Sequence, residues 1–472
     1  MKVTLINPFS ESVTTAGRYK RFLAPMPPIS LAYVAAAMER AGVPLSIYDD
    51  YTEGGDVKRL FEFIKEENPD IVGLSCVTPT ATRTYEMALE IRERFPDIKI
   101  MMGNLHPSFF YERTISDNIA DFVVLGEGEE TVIELVKACE NESDLTDVKG
   151  IAFKADDKIV VTEQRPFIED LDSLPFPAWH LFPIERYRIF NFARVKEPGT
   201  LVLGSRGCPY ACNFCSLKIM GRKRRTRSVA NIADEFEYLY DRFGYVQPSF
   251  IDPIFPFSEK EALDFSDELI KREIHKKQIW ITETRVDLVT ERMMEAMARA
   301  GLKRIMYGFE SGTEEGLDSI NKRTTTSIAR ETVEITKKAG VEIIGFFMIG
   351  VPGETKEDIE RTIRFSQQLN IDFAKYTVFS PFPGTKIYKE MLDDKVIPET
   401  EKWSMFTNYP TKENPAIYIP ETLKNSDIIK LQRKAFLSFY LRPGMILKQL
   451  LKIRTLDISD IINGLLMLLR KQ

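Results

Sequence analysis

Cysteine is scarce in this chain, with five in 472 residues. So few cysteines build no disulfide framework, and they place the protein in a reducing cytosol. Histidine is scarcer still. Its three residues, His106, His180 and His275, are far apart, which excludes a histidine-rich metal site. No apolar run reaches the length of a membrane span. The chain opens on the strand-like run Lys2–Ile6, with neither the basic nor the apolar region of a secretory signal. A net charge of −6 argues against bulk nucleic-acid binding. The rest is an ordinary globular composition, 44% hydrophobic and 28% charged, in a chain long enough for two or three domains.

Three of the five cysteines are crowded into the stretch Leu201–Arg227. Cys208, Cys212 and Cys215 form a C-x3-C-x2-C pattern on a glycine-bracketed loop that follows the strand-like run Thr200–Leu203. Three thiolates on one short loop hold a metal centre but leave a coordination position open for chemistry. A structural zinc knuckle needs a fourth Cys or His nearby, and the next histidine is His275. Cys76 ends a strand and Cys139 sits on an apolar helical face, so both read as core. The same stretch ends in a basic cluster, Gly221–Arg227. That cluster reads as a solvated face, or as a contact for an anionic substrate group, a cofactor phosphate or RNA.

Residues 1–143 alternate short apolar strands with helical patterns, which predicts a doubly wound parallel sheet in an α/β domain. Strands are expected at Val3–Ile6, Leu45–Tyr48, Ile71–Leu74, Ile98–Met102 and Phe122–Leu125. Such sheets bind ligands at the carboxyl ends of their strands, and the loops there are rich in Gly, Pro, Ser, Thr and Asn. Residues 144–194 read as a linker. It holds a small hairpin around Asp156–Asp157 and an extended Pro-rich stretch in which Trp179 and Phe182 pack. From 195 to 390 the βα alternation resumes with six strand-like runs, an incomplete (β/α)6 barrel of the TIM type. Its strand ends carry the cysteine loop, then Asp252, Arg285, Glu310–Ser311–Gly312, Gly350–Glu354 and Ser380–Thr385. Residues 391–472 read as a mostly helical cap. The apolar segment Ile458–Leu469 is too short to span a bilayer. It is either a packing helix that closes the barrel's open side or an interfacial helix at a lipid surface.

The N-terminal pieces Pro27–Tyr33, Gly103–Pro107 and Gly126–Glu129 resemble the flavodoxin-like cobalamin-binding domain found upstream of many radical S-adenosylmethionine (SAM) enzymes. The resemblance implies that Asn7, Thr78, Asn104, His106, Glu127 and Gly128, near strand ends, meet cobalamin. An ordinary loop histidine is the other reading of His106. The chain has no D-x-H-x-x-G, so this module would supply cobalt with no histidine from that motif, and the cofactor would sit base-off.

The cysteine loop, with the stretches Tyr307–Thr325 and Phe346–Ile363, resembles the Elp3/MiaB-like branch of the radical SAM superfamily. That resemblance implies a [4Fe–4S] cluster on Cys208, Cys212 and Cys215, with SAM on the fourth iron. It places Phe214 against the adenine and makes Arg285, Glu310 and Ser311 contacts of SAM. The second strand ends Ile251–Asp252–Pro253, without the Gly-Gly-Glu run that many members offer to the amino group of SAM.

Together the resemblances imply a cobalamin-dependent enzyme that methylates an unactivated carbon of a small-molecule or lipid-like substrate through a 5′-deoxyadenosyl radical. Its electron donor would be a flavodoxin or ferredoxin. The alternatives are oxidative cyclisation or rearrangement of a porphyrin-like molecule, RNA modification, and a non-catalytic metal-binding module. RNA methylthiolation would call for a second set of cluster cysteines, and Cys76 with Cys139 is no such set.

Overall fold

The computed structural model describes residues 1–9, 26–187 and 193–451. The first sheet begins with five parallel strands: β1 (Val3–Asn7), β2 (Leu45–Asp49), β3 (Ile71–Ser75), β4 (Lys99–Gly103) and β5 (Phe122–Val124). Their order is β2-β1-β3-β4-β5, so the connection reverses direction between β1 and β3. Ligands of such sheets lie at that switch point, beyond the carboxyl ends. These strands are covered on both faces, which is why they read as apolar runs without alternation.

The expected hairpin forms as β6 (Ile151–Ala155) and β7 (Lys158–Val161). It belongs to this sheet, however, because β6 pairs antiparallel with β5 and extends the sheet to seven strands. Beyond it, Trp179 and Phe182 are buried, and the Ala178 N–H donates to the Ala32 carbonyl at 3.1 Å.

The second sheet has six parallel strands in chain order: β8 (Gly199–Val202), β11 (Gln247–Phe250), β12 (Trp280–Thr284), β13 (Leu302–Glu310), β14 (Glu342–Ile349) and β15 (Phe373–Val378). Between the first two, β9 (Ser205–Arg206) and β10 (Arg225–Thr226) form a two-residue antiparallel ladder. Helices between the strands start on side-chain caps. Ser258 Oγ accepts from Glu261 N–H, and Thr355 and Asp358 cap each other reciprocally. The free edge of β15 is covered by the helix Asn425–Tyr440 and the segment before it. The Tyr440 hydroxyl donates to the Ala374 carbonyl at 2.8 Å and accepts from its N–H at 3.0 Å. The Asn408 amide donates to the Val378 carbonyl at 2.9 Å. Ile458–Leu469, the other helix expected on this side, lies outside the described residues.

The two largest apolar cores run through both sheets. One joins Leu5 and Leu31 to Phe250 and Trp280, and the other joins Ile6 and Leu74 to Met348 and Phe379. The carboxyl ends of the two sheets meet. Gly384, after β15, lies so close to Phe109, after β4, that a Cβ there would stand 1.9 Å from the ring.

Candidate functional site

The cysteine loop leaves the barrel where β8 ends. Asp252, at the end of β11, takes the Gly204 N–H at 2.9 Å and the Ser205 hydroxyl at 2.6 Å. The β9–β10 ladder then closes the loop at its base. Gly207 follows with φ +81°, and an added Cβ would stand 2.3 Å from the Lys223 carbonyl oxygen. Cys208 N–H donates to Gly221 at 3.2 Å, so the loop is also tied across itself. Its tip is held by two asparagines that sequence reasoning missed. The Asn213 amide donates to the Ser319 carbonyl at 2.9 Å, and the Asn321 amide to the Ala211 carbonyl at 2.6 Å. The signal for Asn213 was its place between Cys212 and Phe214; Asn321, more than a hundred residues on, gave none.

All three thiols are free and half-buried. Burial pushes the Cys215 thiol up to about 11 and raises Cys208, while the Tyr210 and Leu217 N–H groups and the nearby cations pull the other way. Arg285 Nη1 stands 4.0 Å from Cys212 Sγ. The guanidinium is fixed by Asp287 at 2.9 and 3.1 Å and by the Lys322 carbonyl at 2.8 Å, and it lies 3.8 Å from the Tyr210 ring centroid. Lys322, also unforeseen, is buried beneath the loop and donates to Glu310 Oε1 at 2.8 Å. Its ammonium is 6.0 Å from the centroid of Phe214. Phe214, Arg285 and Glu310 therefore gather with the cysteines at the barrel mouth. Ser311 does not join them through its side chain. It is buried in the turn after β13, where its hydroxyl accepts from the Thr313 N–H at 3.2 Å and meets Thr362 at 3.3 Å.

On the first sheet, Asn7, Thr78 and Asn104 sit at the carboxyl edge around the switch point. The Asn7 amide donates to Asp49 at 3.1 Å, and Asn104, with φ +82°, donates to the Ser75 hydroxyl at 3.1 Å. His106 lies behind them, fully buried. Its Nδ1 meets the Thr78 hydroxyl at 3.2 Å, and rings of Tyr85, Phe110 and Trp403 enclose it with centroids 5.6, 4.8 and 4.5 Å away. Its Nε2 has no partner among the described residues, and burial pushes its pKa down to about 3. The ring is therefore a sealed, neutral support for Thr78. Gly128 opens the helix Gly128–Glu140 and packs toward Val34.

Glu127 corrects the sequence expectation most. Its carboxylate is buried between the domains, where Arg206 donates at 3.1 Å, Arg225 at 2.8 Å and the Ile168 N–H at 2.8 Å. Both oxygens are consumed, so the carboxylate locks the junction, and only the backbone of Glu127 is left to meet cobalamin. Its neighbour Glu129 binds Arg206 as well. Of the basic residues in the run Gly221–Arg227, only Arg222 and Lys223 form a solvated face. Arg225 and Arg227 are buried, the latter against Glu235, and Arg224 pairs with Glu261 at 2.9 Å.

Residues 202–366 match the model of the radical SAM superfamily, and residues 20–136 that of the B12 binding domain. The chain is 31% identical over 469 residues to an uncharacterized methyltransferase of Pyrococcus horikoshii, covering 99% of this chain and 98% of that one. The chain belongs to the cobalamin-binding radical SAM enzymes. It is also 29% identical over 430 residues to the anaerobic magnesium-protoporphyrin IX monomethyl ester cyclase of Cereibacter sphaeroides, covering 89% of this chain and 68% of that one. Among solved structures, the radical SAM methyltransferase TsrM of Kitasatospora setae, with cobalamin and a [4Fe–4S] cluster bound, shares the fold with a TM-score of 0.71 at 17% identity. The superposition covers 91% of this chain and 90% of that one.

The cofactors of this radical SAM enzyme are thus a [4Fe–4S] cluster, SAM and cobalamin, and its residues fit them. Among the described residues no three His, Cys, Asp or Glu converge on a single metal ion. A cluster asks for something else, since each thiolate binds its own iron, and three thiols on one pinned loop with N–H donors aimed at two of the sulfurs supply it. At the cobalamin edge the side chains are small and polar. None of the three histidines offers a nitrogen there: His106 is sealed, His180 pairs with Glu39, and His275 follows the barrel helix Glu259–Lys271.

Gly207→Ala is expected to loosen the cluster loop. A side chain at this φ, pressed on the Lys223 carbonyl, costs about 1–3 kcal/mol. Iron per chain after anaerobic reconstitution should fall while the rest of the chain keeps its thermal midpoint. An iron content equal to wild type would show that the loop tolerates the strain.

Proposed function

We propose that this enzyme transfers a methyl group to a carbon of a small-molecule substrate, which enters the barrel and is held with its reacting end at the mouth, facing the edge of the cobalamin domain. The observation that carries this reading is the meeting of the two carboxyl-terminal edges. Phe109 rests against Gly384, Trp403 packs on His106, and Glu127 grips the base of the cysteine loop. When bound, the cluster supplies an electron to SAM and cobalamin supplies a methyl carrier; the protein orients both and shields what lies between. Arg285 and Glu310 present charge at the mouth, where the polar groups of SAM are bound, and Phe214 offers a ring for its adenine. The closed junction keeps water out, as radical chemistry requires. A reduced flavodoxin or ferredoxin serves as electron donor. The names of the Pyrococcus relative and of TsrM, both methyltransferases, support the reaction class.

The test is anaerobic. The reconstituted protein is offered hydroxocobalamin, desalted, and given SAM labelled in its methyl group, a reduced flavodoxin and a small-molecule extract of the native host. Label is expected in a product, with 5′-deoxyadenosine released alongside. Loss of all corrin absorbance on desalting would overturn the cobalamin role. The likeness to the Cereibacter cyclase favours ring cyclisation of a porphyrin as a second reading. A product lighter by hydrogen, with no label, would select it. Modification of RNA gains nothing from the structure, because Cys76 is buried with its thiol pushed up to about 12 and stands in the first sheet. Among the described residues no helix is long and apolar enough to cross a membrane.

A further inference from the structure

Side chains alternate sharply along the barrel strands. Thr282, Ile305, Tyr307, Phe347 and Tyr376, which face the outer helices, are fully buried. Glu283, Met306, Phe346, Lys375 and Thr377, on the opposite face, keep accessible surface. These five sit in the middle of a covered sheet, so their surface faces an internal lumen. Its floor is a small apolar cluster separate from the main cores, made of Ile281, Ile344 and Phe373. Its rim is the mouth described above, with Arg285 beside Cys212 and Glu310 paired with Lys322.

Between floor and rim stands Glu283. The carboxylates at the barrel's strand ends have partners: Asp252 in Gly204 and Ser205, Asp287 in Arg285, Glu310 in Lys322, and one oxygen of Glu354 in the N–H groups of Gly350 and Val351. The Glu283 side chain has no hydrogen bond or ion pair among the described residues. Burial pushes its carboxyl up to about 7, Lys322 and Lys375 draw it down, and Glu310 pushes it further up. Its oxygens keep accessible surface in the lumen, where a ligand that carries a donor can reach them. Its depth also separates it from the cluster. It lies two residues before Arg285 on the same strand, about 6–7 Å farther in at roughly 3.3 Å per residue.

We propose that Glu283 is the substrate-positioning residue of the barrel, accepting a hydrogen bond from an amine or hydroxyl whose apolar neighbour rests on the Ile281–Ile344–Phe373 floor. This rests on the functional reading above only in taking the occupant of the lumen to be the substrate.

The test uses the reconstituted full chain with SAM bound and three small probes, n-butylammonium, n-butanol and n-butyrate, followed by saturation-transfer NMR. Wild type is expected to bind butylammonium about tenfold more tightly than butyrate. Glu283→Gln should abolish that preference and Glu283→Asp should keep part of it, with SAM affinity in both within about twofold of wild type. Failure of wild type to bind butylammonium, a preference for butyrate, or a preference unchanged in Glu283→Gln would overturn the proposal. So would a tenfold loss of SAM affinity in Glu283→Gln, which would assign the residue to SAM. The probes need no methyl transfer, so a wild type that makes no labelled product defeats the functional reading and leaves this binding result to be judged by itself.

Discussion

Cys212→Ala is expected to emerge from anaerobic reconstitution colourless, with iron and sulfide near background and no cleavage of SAM. The loop is locked by groups other than its thiols. Asn213 and Asn321 tie its tip, Gly221 accepts from the Cys208 amide, and the β9–β10 ladder closes its base. Removing one half-buried sulfur therefore leaves the fold nearly unchanged, within about 1 kcal/mol. The cluster, in contrast, loses one of its three protein ligands, with Arg285 left facing an empty position 4.0 Å away. Iron, sulfide and the brown chromophore are the readouts, with circular dichroism to show the fold intact. Cys139→Ala, a change in the first sheet's helix, should reconstitute like wild type. A Cys212→Ala protein that keeps its chromophore would defeat the assignment of the cluster to this loop.

Glu127→Ala should be the most destabilising single change outside the main cores, by about 3–5 kcal/mol, because it takes the only carboxylate from buried Arg225 and one of the two from buried Arg206. Arg206 and Arg225 both end on this carboxylate, and all three side chains are almost wholly enclosed. Denaturant unfolding of the full chain measures the loss. The domains should also separate more readily, seen as faster proteolysis at the junction. Lys223→Ala is the contrast. It lies in the same basic run and pairs with Glu169, but both are exposed, so the change should cost at most about 1 kcal/mol. Equal effects of the two substitutions would refute the clamp.

The pair also carries a pH signature. Burial by itself would raise the Glu127 carboxyl, but Arg225, Arg206 and the Ile168 N–H outweigh it and hold the folded value below the ordinary 4.5. A depressed folded value gives stability that is complete above pH 4.5 and is lost as pH falls through the folded value. Wild type should therefore weaken on acidification below that point more steeply than Glu127→Ala does.

How much of this was legible depends on the distance between partners. The strands of both sheets were readable within a residue or two, because parallel strands covered on both faces leave continuous apolar runs. The hairpin at Ile151–Val161 was readable as a hairpin, but its membership of the first sheet was not, because pairing with β5 is a tertiary choice. Glu127 and the basic run were misassigned for one reason. Glu127 meets Arg206 and Arg225, 79 and 98 residues away, and the Arg225–Glu127 pair shows in neither local sequence. Ser311 and His106 went the same way. A hydroxyl and an imidazole at strand ends are ligands on paper, and here they close a turn and back a threonine.

The sequence by itself determined the three-cysteine loop and the alternation of strands and helices. Three thiols within eight residues mark a loop suited to a cluster, since the chain that joins them is short and its closure cheap. Only the tertiary structure decided what the charges do. Burial makes an unpaired charge costly, so packing the domains together forces each arginine and carboxylate of the junction into a pair. The same packing leaves Glu283 facing the lumen without one.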